Sequence, residues 1–256
     1  MRASHLGGAG ELVEKSQVTT AWREYFDGLK DQSPLYRVQA ALYVDSLREA
    51  VGLHHDQRVL DFGCGFGFVA ALLAPLVTEV GWWDPSPNMR SATERNTTRF
   101  PNARFCDLSA TSLTESGGST WRGAPFDLIL VNSVAQYMAP EELWAWLTRW
   151  RTMLAPKGQL VLSDLIPPHH SSLSDVASLI RLGRLHGSVL RAANDALGGV
   201  SRYWRTRRAL PLTSVSRADL ARQAAAADLD VTFLPENLTH FRKRWAAVLG
   251  PRDREN

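Results

Sequence analysis

Residues 59–67 read Val-Leu-Asp-Phe-Gly-Cys-Gly-Phe-Gly, and this stretch decides the fold. Val59 and Leu60 end a short apolar run, as expected of a buried parallel strand. Asp61 closes that strand, three glycines follow at a spacing of two, and residues 68–74 are rich in helix formers. Because glycine has no Cβ, the backbone can turn sharply and a ligand can lie against the main chain. The amides at the start of the helix favour a carboxylate or another acceptor.

The glycine spacing bears on the kind of ligand. A dinucleotide-binding fingerprint requires G-x-G-x-x-G, but its third glycine would fall at Phe68. The spacing here is G-x-G-x-G, formed by Gly63, Gly65 and Gly67, with Asp61 two residues ahead of the first glycine. That combination resembles motif I of the class I S-adenosylmethionine-dependent methyltransferases. A glycine-rich turn without a ligand is the alternative.

Composition indicates one globular domain. The 256 residues are enough for a sizeable core, and 45% hydrophobic with 21% charged residues argues against wholesale disorder. The formal net charge is +3, but basic and acidic residues are interspersed. The Arg-rich stretch Arg202–Arg208 is interpreted as a solvated helix face, with a phosphate-bearing substrate or nucleic acid as the alternative.

Cysteine usage and hydropathy favour a cytoplasmic protein. Cys64 and Cys106 are the two cysteines, which make neither a metal site nor a disulfide framework. The first eight residues lack the apolar core of a signal peptide, and the sequence holds no run of about eighteen apolar residues. We therefore expect no membrane partner and no bound metal.

The order of predicted elements indicates a single α/β domain over residues 1–256. Strands and helices alternate with tight links, which predicts a doubly wound, Rossmann-like, mostly parallel seven-stranded sheet. Two stretches near the end, Leu229–Leu234 and Thr239–Leu249, alternate like the strands of a closing hairpin at the sheet edge. The predicted parts are an N-terminal arm and helices (1–51), a cofactor-binding core (52–166), a helical lid insertion (167–213) and a closing helix with strands (214–249).

Polar residues follow the predicted strands at the edge where ligands of such sheets bind. Asp84 ends the second strand, where a carboxylate can accept two hydrogen bonds from ribose hydroxyls. Capping of the next helix is the alternative, although Ser86 suits that role better. Asp107 ends the third strand and could accept from the amine of an adenine or cap a loop. The residues placed at this edge are Asp61, Asp84, Asp107, Asn132, Ser163 and Asp164.

Residues 59–163 resemble the cofactor half of a class I methyltransferase, and the closing strands resemble its antiparallel end. The resemblance implies that S-adenosylmethionine is the cofactor and that Asp84 binds its ribose. Trp83, where the family is usually aliphatic, is a departure. The other implied contacts are Gly63, Cys64 and Gly65 to the amino-acid part, Pro85 and Leu108 to the adenine faces, Asp107 to its amino group, and Asn132 with Ser133 near the methionine end.

The methyl acceptor is inferred by exclusion. Relatives that methylate amino groups of nucleic acids carry a Pro-Pro-aromatic motif after the fourth strand, whereas residues 132–137 here contain no proline. Metal-assisted catechol enzymes need clustered carboxylates, which Asp164 alone does not provide. We therefore expect a small organic acceptor, methylated on oxygen, nitrogen or carbon, as in many methyltransferases of specialised metabolism.

The candidate catalytic residues lie near the predicted strand ends. His169 and His170 follow the fifth strand, and an imidazole titrates in a useful range for a general base. A solvated loop is the alternative for this pair, and His240 is interpreted as structural within a closing strand. The catalytic candidates are His169, His170 and Tyr137, and the substrate-binding candidates are Tyr25, Tyr137 and Tyr203; for Tyr25 core packing is the alternative.

Three other functions stay open from the sequence alone. A protein of this fold could bind S-adenosylmethionine and catalyse a reaction other than methyl transfer. It could also bind the cofactor only as a sensor or structural ligand. An RNA methyltransferase is a further choice, favoured by the estimated pI of 9.1.

Overall fold

The computed structural model describes residues 17–29, 34–108, 123–185 and 212–252. Within these ranges, helices and strands alternate along the chain as the sequence predicts. The helices are α1 (Gln17–Asp27), α2 (Pro34–Val51), α3 (Phe68–Leu73), α4 (Pro87–Thr97), α5 (Pro140–Met153), α6 (Ser172–Leu185) and α7 (Arg217–Ala226). The strands are β1 (Arg58–Phe62), β2 (Glu79–Trp83), β3 (Ala103–Phe105), β4 (Phe126–Asn132), β5 (Leu154–Leu165), β6 (Leu229–Phe233) and β7 (Trp245–Pro251).

The seven described strands form one sheet in the order β3-β2-β1-β4-β5-β7-β6. Strands β1 to β5 are mutually parallel, and β7 runs antiparallel to both β5 and β6. The predicted mostly parallel, seven-stranded sheet is therefore confirmed. The strand order reverses between β1 and β4, and ligands of doubly wound sheets bind at the carboxyl ends of strands beside such a point.

Helices cover both faces of this sheet. Tyr43 and Leu47 of α2 are buried with α3 against one face. Leu147 and Trp150 of α5 are buried with α7 against the other face, where the ring of Trp150 meets that of Phe62 of β1 at 5.0 Å between centroids. None of the described helices combines the length and the apolar character that crossing a membrane requires.

Two helix starts follow the capping signals of the sequence. The Ser86 hydroxyl accepts a hydrogen bond from the Met89 amide (3.1 Å), and Pro87 occupies the first helical position of α4. The Ser216 hydroxyl does the same for the Asp219 amide (3.0 Å) at the start of α7. The Ser86 cap was expected, and both caps fix where a helix begins beside the sheet.

The closing strands differ from their prediction. Strand β7 begins at Trp245 rather than at Thr239, and it lies between β5 and β6, so β6 alone forms that edge of the sheet. Asn237 and Thr239 form hydrogen bonds to the Asp164 carboxylate instead of pairing with a strand, because that buried group needs donors. The interpretation of His240 as part of a strand is therefore wrong.

Other boundaries also moved. Strand β3 ends at Phe105, two residues before Asp107, and β5 begins at Leu154, with an irregular register against β4. Leu42 of α2 is 36% exposed. Of the predicted lid, residues 186–211 lie outside the described part of the chain, and with them the candidate Tyr203.

Candidate functional site

The glycine turn after β1 is fastened to the end of β2. The amides of Gly63 and Cys64 both donate to the carbonyl of Trp83, at 2.8 and 3.0 Å. The φ angles of Gly63, Gly65 and Gly67 are +72°, +55° and +74°, which is the left-handed region that glycine adopts without strain. This conformation places the bare backbone of the turn at the carboxyl edge of β1 and β2.

The three glycines serve different purposes. A Cβ at Gly63 would lie 2.4 Å from Cγ2 of Val134, and one at Gly67 would lie 2.5 Å from Cγ2 of Thr93. A Cβ at Gly65 would meet no described heavy atom within 4 Å. Gly63 and Gly67 are therefore needed for protein packing, whereas Gly65 borders open space in which a ligand could contact the main chain.

Asp84 lies directly beside this open space. One carboxylate oxygen accepts from the Gly65 amide (2.9 Å), and the other accepts from the Ser86 amide (2.9 Å). Burial raises the pKa of Asp84 to about 7, although these two hydrogen bonds and the charge of Arg90 oppose the rise. Each oxygen keeps a further lone pair for a hydroxyl donor. Since Ser86 caps α4, the geometry favours a binding role for Asp84 over the capping alternative.

Asp61 carries the clearest sign of a missing partner. Its carboxyl group is buried, and no described residue donates a hydrogen bond to its Oδ2 atom. Burial, with the charge of Asp84, raises the pKa of Asp61 to about 7. A buried acceptor without a donor is costly and calls for a bound group. The donor set that fits is cationic or hydroxylic, as in the ammonium and ribose of S-adenosylmethionine.

Helix α1 lies across the mouth of this site. Asp27 at its end accepts hydrogen bonds from the Ser86 hydroxyl (2.5 Å) and the Asn88 amide (3.0 Å) at the start of α4. Trp22 of the same helix contacts the ring of Tyr137 at 4.7 Å between centroids. The helix therefore bridges the ends of β2 and β4, and it brings Tyr25 and Tyr137 into one aromatic cluster with Trp22.

The remaining predicted cofactor residues fall into three situations. Leu108 is fully buried, whereas Asp107 is exposed. The Cys64 thiol lies 3.3 Å from the Thr93 hydroxyl, so its side chain is directed into the protein and only its backbone belongs to the turn. Asn132 accepts from the Ser163 hydroxyl (3.0 Å), and Ser133 has a positive φ of 57° at the end of β4. The binding roles of these residues and of Pro85 stay predictions.

A second polar cluster occupies the carboxyl ends of β4 and β5, and its centre is the fully buried Asp164. One oxygen accepts from Asn237 Nδ2 (2.7 Å) and from Thr239. The other accepts from the Ser133 hydroxyl (2.6 Å) and from Arg244 Nη1 (3.2 Å). Sequence reasoning missed Asn237 and Arg244, because they lie 73 and 80 residues from Asp164 and carry no local motif.

Arg244 extends this cluster to His170. Its Nη2 atom lies 2.8 Å from Oδ2 of Asp175, and Oδ1 of Asp175 lies 2.8 Å from Nε2 of His170. Burial would raise the pKa of Asp175, but the hydrogen bonds and charges of Arg244 and His170 prevail and lower it. An ionised Asp175 makes His170 Nε2 the donor and leaves Nδ1 as the basic nitrogen.

The side chains of the two candidate histidines, His169 and His170, lie in different environments. His169 has a positive φ of 64° and is exposed, without a hydrogen-bond partner among the described residues, whereas the His170 side chain is 4% exposed. His240, which was interpreted as structural, lines a cavity, and its Nε2 atom is buried with no described partner. No sequence pattern around His240 indicated that its side chain lines a cavity.

The fold and the glycine turn define the class. The described architecture resembles an amino pentose methyltransferase from Micromonospora echinaspora involved in calicheamicin biosynthesis, solved with bound S-adenosylmethionine. The TM-score is 0.53 at 16% identity, covering 97% of this chain and 99% of that one. The protein thus has the Rossmann-like fold of the class I methyltransferases.

Comparison at the sequence level agrees with this fold. Residues 60–160 match the family model described as a methyltransferase domain. A protein-L-isoaspartate O-methyltransferase from Anaeromyxobacter dehalogenans is 34% identical over 118 residues, which are 45% of this chain and 50% of that protein. The chondramide synthase of Chondromyces crocatus is 28% identical over 199 residues, which are 75% of this chain and 5% of the synthase. The chain therefore spans at most about half the length of these two relatives.

Proposed function

We propose that this protein transfers a methyl group from S-adenosylmethionine to oxygen, nitrogen or carbon of a small organic acceptor. One observation supports this above all: the open side of Gly65 lies beside Asp84, next to the unsatisfied carboxylate oxygen of Asp61. When bound, the cofactor supplies an electrophilic methyl group on its sulfonium. The Gly63–Gly65 backbone and Asp61 would hold the amino-acid part, and Asp84 would hold the ribose.

The chain's own contribution to the chemistry is mainly orientation, because the methyl donor is already activated. Tyr137 would position the acceptor, since its ring packs against Trp22 and Phe26 of α1. His170 is the stronger candidate base of the adjacent pair, because Asp175 fixes its tautomer and orientation. Any acceptor that must lose a proton would give it to Nδ1 of this ring.

The relatives support a small acceptor. The amino pentose methyltransferase takes part in the biosynthesis of calicheamicin, and the chain also resembles part of a chondramide synthase. Both names point to specialised metabolism. The proposal includes the cytoplasmic location that we expect from the sequence.

The matched variants Gly65→Ala and Gly63→Ala test the cofactor site. Gly65→Ala has room for its Cβ. We therefore expect its free energy of unfolding to fall by only about 1–2 kcal/mol, the cost of a positive φ in alanine. Its methyl group would occupy the ligand's side of the turn, so we expect S-adenosylhomocysteine to bind about 30-fold more weakly or worse in calorimetry. Gly63→Ala should instead lose about 2–5 kcal/mol of unfolding free energy through overpacking on Val134.

Two outcomes would reject the proposal. Undiminished binding of S-adenosylhomocysteine to Gly65→Ala would place the cofactor elsewhere. Incubation with methyl-labelled S-adenosylmethionine and a panel of phenols, amines and carboxylic acids should transfer label to at least one acceptor. Binding without transfer to any of them would instead support a non-methylating enzyme or a sensor.

A further inference from the structure

A large cavity lies beside the proposed methyl-transfer site. Its volume is about 940 Å³, within the range of small-molecule sites. It is lined by residues of α2 and α6, by the residues that follow β5, and by the loop between β6 and β7. Because β7 is antiparallel to β5, this loop lies at the same edge of the sheet as the carboxyl ends of β4 and β5.

One wall of the cavity is apolar and another is basic. Leu42, Leu182 and Trp245 supply apolar surface, which accounts for the exposure of Leu42 on α2. Among the described lining residues the single acid is Glu236. The basic lining residues are Arg181, Arg217, Arg242, Lys243 and Arg244.

The basic residues differ in whether their charge is already balanced. Arg244 is paired with Asp164 and Asp175, as described above. Arg217 lies over an aromatic ring, 5.1 Å from the centroid of Phe233. By contrast, Arg181, Arg242 and Lys243 have no ion pair or side-chain hydrogen bond with any residue that the structure describes. These three side chains are exposed, so the rim of the cavity carries positive charge that attracts a negatively charged ligand.

His240 adds a neutral polar group to the same cavity. Its ring lies 3.9 Å from that of Phe241, and its Nε2 atom is buried without a described hydrogen-bond partner. Burial and the charge of Arg244 lower the pKa of His240 to about 4 against the opposing charges of Asp164 and Asp175. A neutral imidazole offers one donor and one acceptor to a ligand.

The cavity is joined to the cofactor site by hydrogen bonds. Arg244 lines the cavity and donates to Asp164, and Asp164 in turn accepts from Ser133 at the end of β4. Ser133 is the residue proposed to lie near the methionine end of the cofactor. Arg244 also interacts electrostatically with Tyr137. A molecule in the cavity would thus lie along the same strand ends as the transferred methyl group.

We propose that this cavity binds the methyl acceptor and that the acceptor is a small organic acid. Its carboxylate, sulfonate or phosphate lies against Arg242 and Lys243, and its apolar body lies against Leu182 and Trp245. Charge-assisted hydrogen bonds from these two cations select acids over neutral molecules of the same shape. This inference rests on the proposed methyltransferase function and narrows its substrate class.

Two fluorescent probes that differ by one anionic group test the charge preference. The sulfonate 8-anilino-1-naphthalenesulfonate and the uncharged N-phenyl-1-naphthylamine are titrated separately into the full chain. We expect the wild type to bind the sulfonate at least about tenfold more tightly. The double variant Arg242→Gln, Lys243→Gln should reduce that preference to within about twofold and leave the affinity for the uncharged probe unchanged.

A matched control removes two cations elsewhere. Arg95 and Arg104 are exposed on α4 and β3, at the other edge of the sheet, and Arg95→Gln, Arg104→Gln has the same change in net charge. We expect this control to keep the wild-type preference for the sulfonate. Equal affinity of the wild type for both probes, or a preference that survives in the Arg242, Lys243 variant, would overturn the inference.

A parallel titration separates this inference from the proposed function. Calorimetry with S-adenosylhomocysteine should give the same affinity for the wild type and for the Arg242→Gln, Lys243→Gln variant, because neither residue lies near the glycine turn. If the wild type binds S-adenosylhomocysteine but shows no preference between the two probes, the acid site alone is overturned. Failure of S-adenosylhomocysteine to bind the wild type overturns the methyltransferase function, and with it the identity of the cavity's ligand as a methyl acceptor.

Discussion

The two halves of the sheet's carboxyl edge hold their carboxylates in different ways. Over β1 and β2, Asp84 is bound by amides at most 19 residues away, and Asp61 keeps a buried oxygen without a described donor. Over β4, β5 and β7, Asp164 is fully satisfied by donors that lie 31 to 80 residues away. The first half keeps a buried acceptor that a ligand could satisfy, whereas the carboxylate of the second half is satisfied by the protein itself.

This difference has an energetic consequence. A carboxylate that is paired inside the protein contributes to stability only while its partners remain, and removing one partner leaves a buried charge. A carboxylate that awaits a ligand costs stability in the free protein and repays it on binding. Substitutions in the half around Asp164 should therefore act on folding, and substitutions in the half around Asp84 should act on affinity.

The largest effect is expected from Arg244→Met. The variant keeps the volume of the side chain but leaves Asp164 and Asp175 buried without their shared cation. We expect the free energy of unfolding in urea to fall by about 3–5 kcal/mol. S-adenosylhomocysteine affinity per folded molecule should change little, because the glycine turn is untouched.

Arg58→Met is the matched control for this variant. Arg58 pairs with Glu79 at 3.2 Å, but both side chains are partly exposed, at 24% and 29%. Exposed pairs of this kind contribute at most about 1 kcal/mol. Equal destabilisation by the two substitutions would contradict the view that the Asp164 cluster is a self-contained part of the fold.

The same contrast explains what could be predicted from the sequence. The strand, the glycine turn, Asp84, and Ser86 with Pro87 all lie within residues 58–87, and their geometry follows from local backbone rules. The sheet topology follows from the alternation of strands and helices. These features are confirmed by the structure, while the binding roles assigned to individual residues stay predictions.

The half around Asp164 could not be predicted in this way. Asn237, Arg244 and Asp175 acquire their roles only when β7 inserts beside β5, and no local pattern signals that contact. Residues 239–244 alternate like a strand, so the pattern favoured β-structure although their polar groups serve Asp164. The adjacent histidines looked equivalent, but the left-handed turn at His169 directs them into different environments.

The next largest expected effect is the pH dependence of cofactor affinity. In the free protein the pKa values of Asp61 and Asp84 are raised to about 7, and a bound ammonium and ribose favour their ionised forms. Affinity for S-adenosylhomocysteine should therefore rise about tenfold between about pH 6 and pH 8 for each carboxyl that ionises on binding. Isothermal titration calorimetry at several pH values measures this, together with the release of protons in buffers of different ionisation enthalpy.

The stability of the free protein should have the opposite slope. Because the folded pKa values exceed the ordinary value of 3.8, the folded state binds more protons than the unfolded state between about pH 4 and pH 7. These two carboxyls therefore stabilise the fold at low pH, and their contribution is lost as the pH rises through 7. Asp84→Asn should flatten both profiles, since it removes one titrating group and the charge that raises the pKa of Asp61. A pH-independent affinity in the wild type would mean that neither carboxyl contacts the cofactor.

The smallest effects are expected from the two helix caps, one in each half. Ser86→Ala removes a buried hydroxyl that caps α4 and also donates to Asp27 of α1, so we expect a loss of about 1–2 kcal/mol in urea unfolding. Ser216→Ala removes the cap of α7, where the hydroxyl otherwise donates to Asp219, a carboxylate that solvent can reach. Its expected cost is about 0.5–1 kcal/mol.

The double-mutant cycle of Ser86→Ala with Asp27→Ala measures the interaction energy between these two side chains. That energy is the part of the destabilisation that comes from the contact between α1 and the start of α4. A coupling of about 0.5 kcal/mol or more would show that the helix end is held by the same serine that starts α4. S-adenosylhomocysteine affinity should then fall severalfold in Ser86→Ala and remain unchanged in Ser216→Ala, because only the first variant loosens the mouth of the cofactor site. Additive effects of the two substitutions, together with equal affinities in both serine variants, would contradict the view that α1 covers the cofactor site.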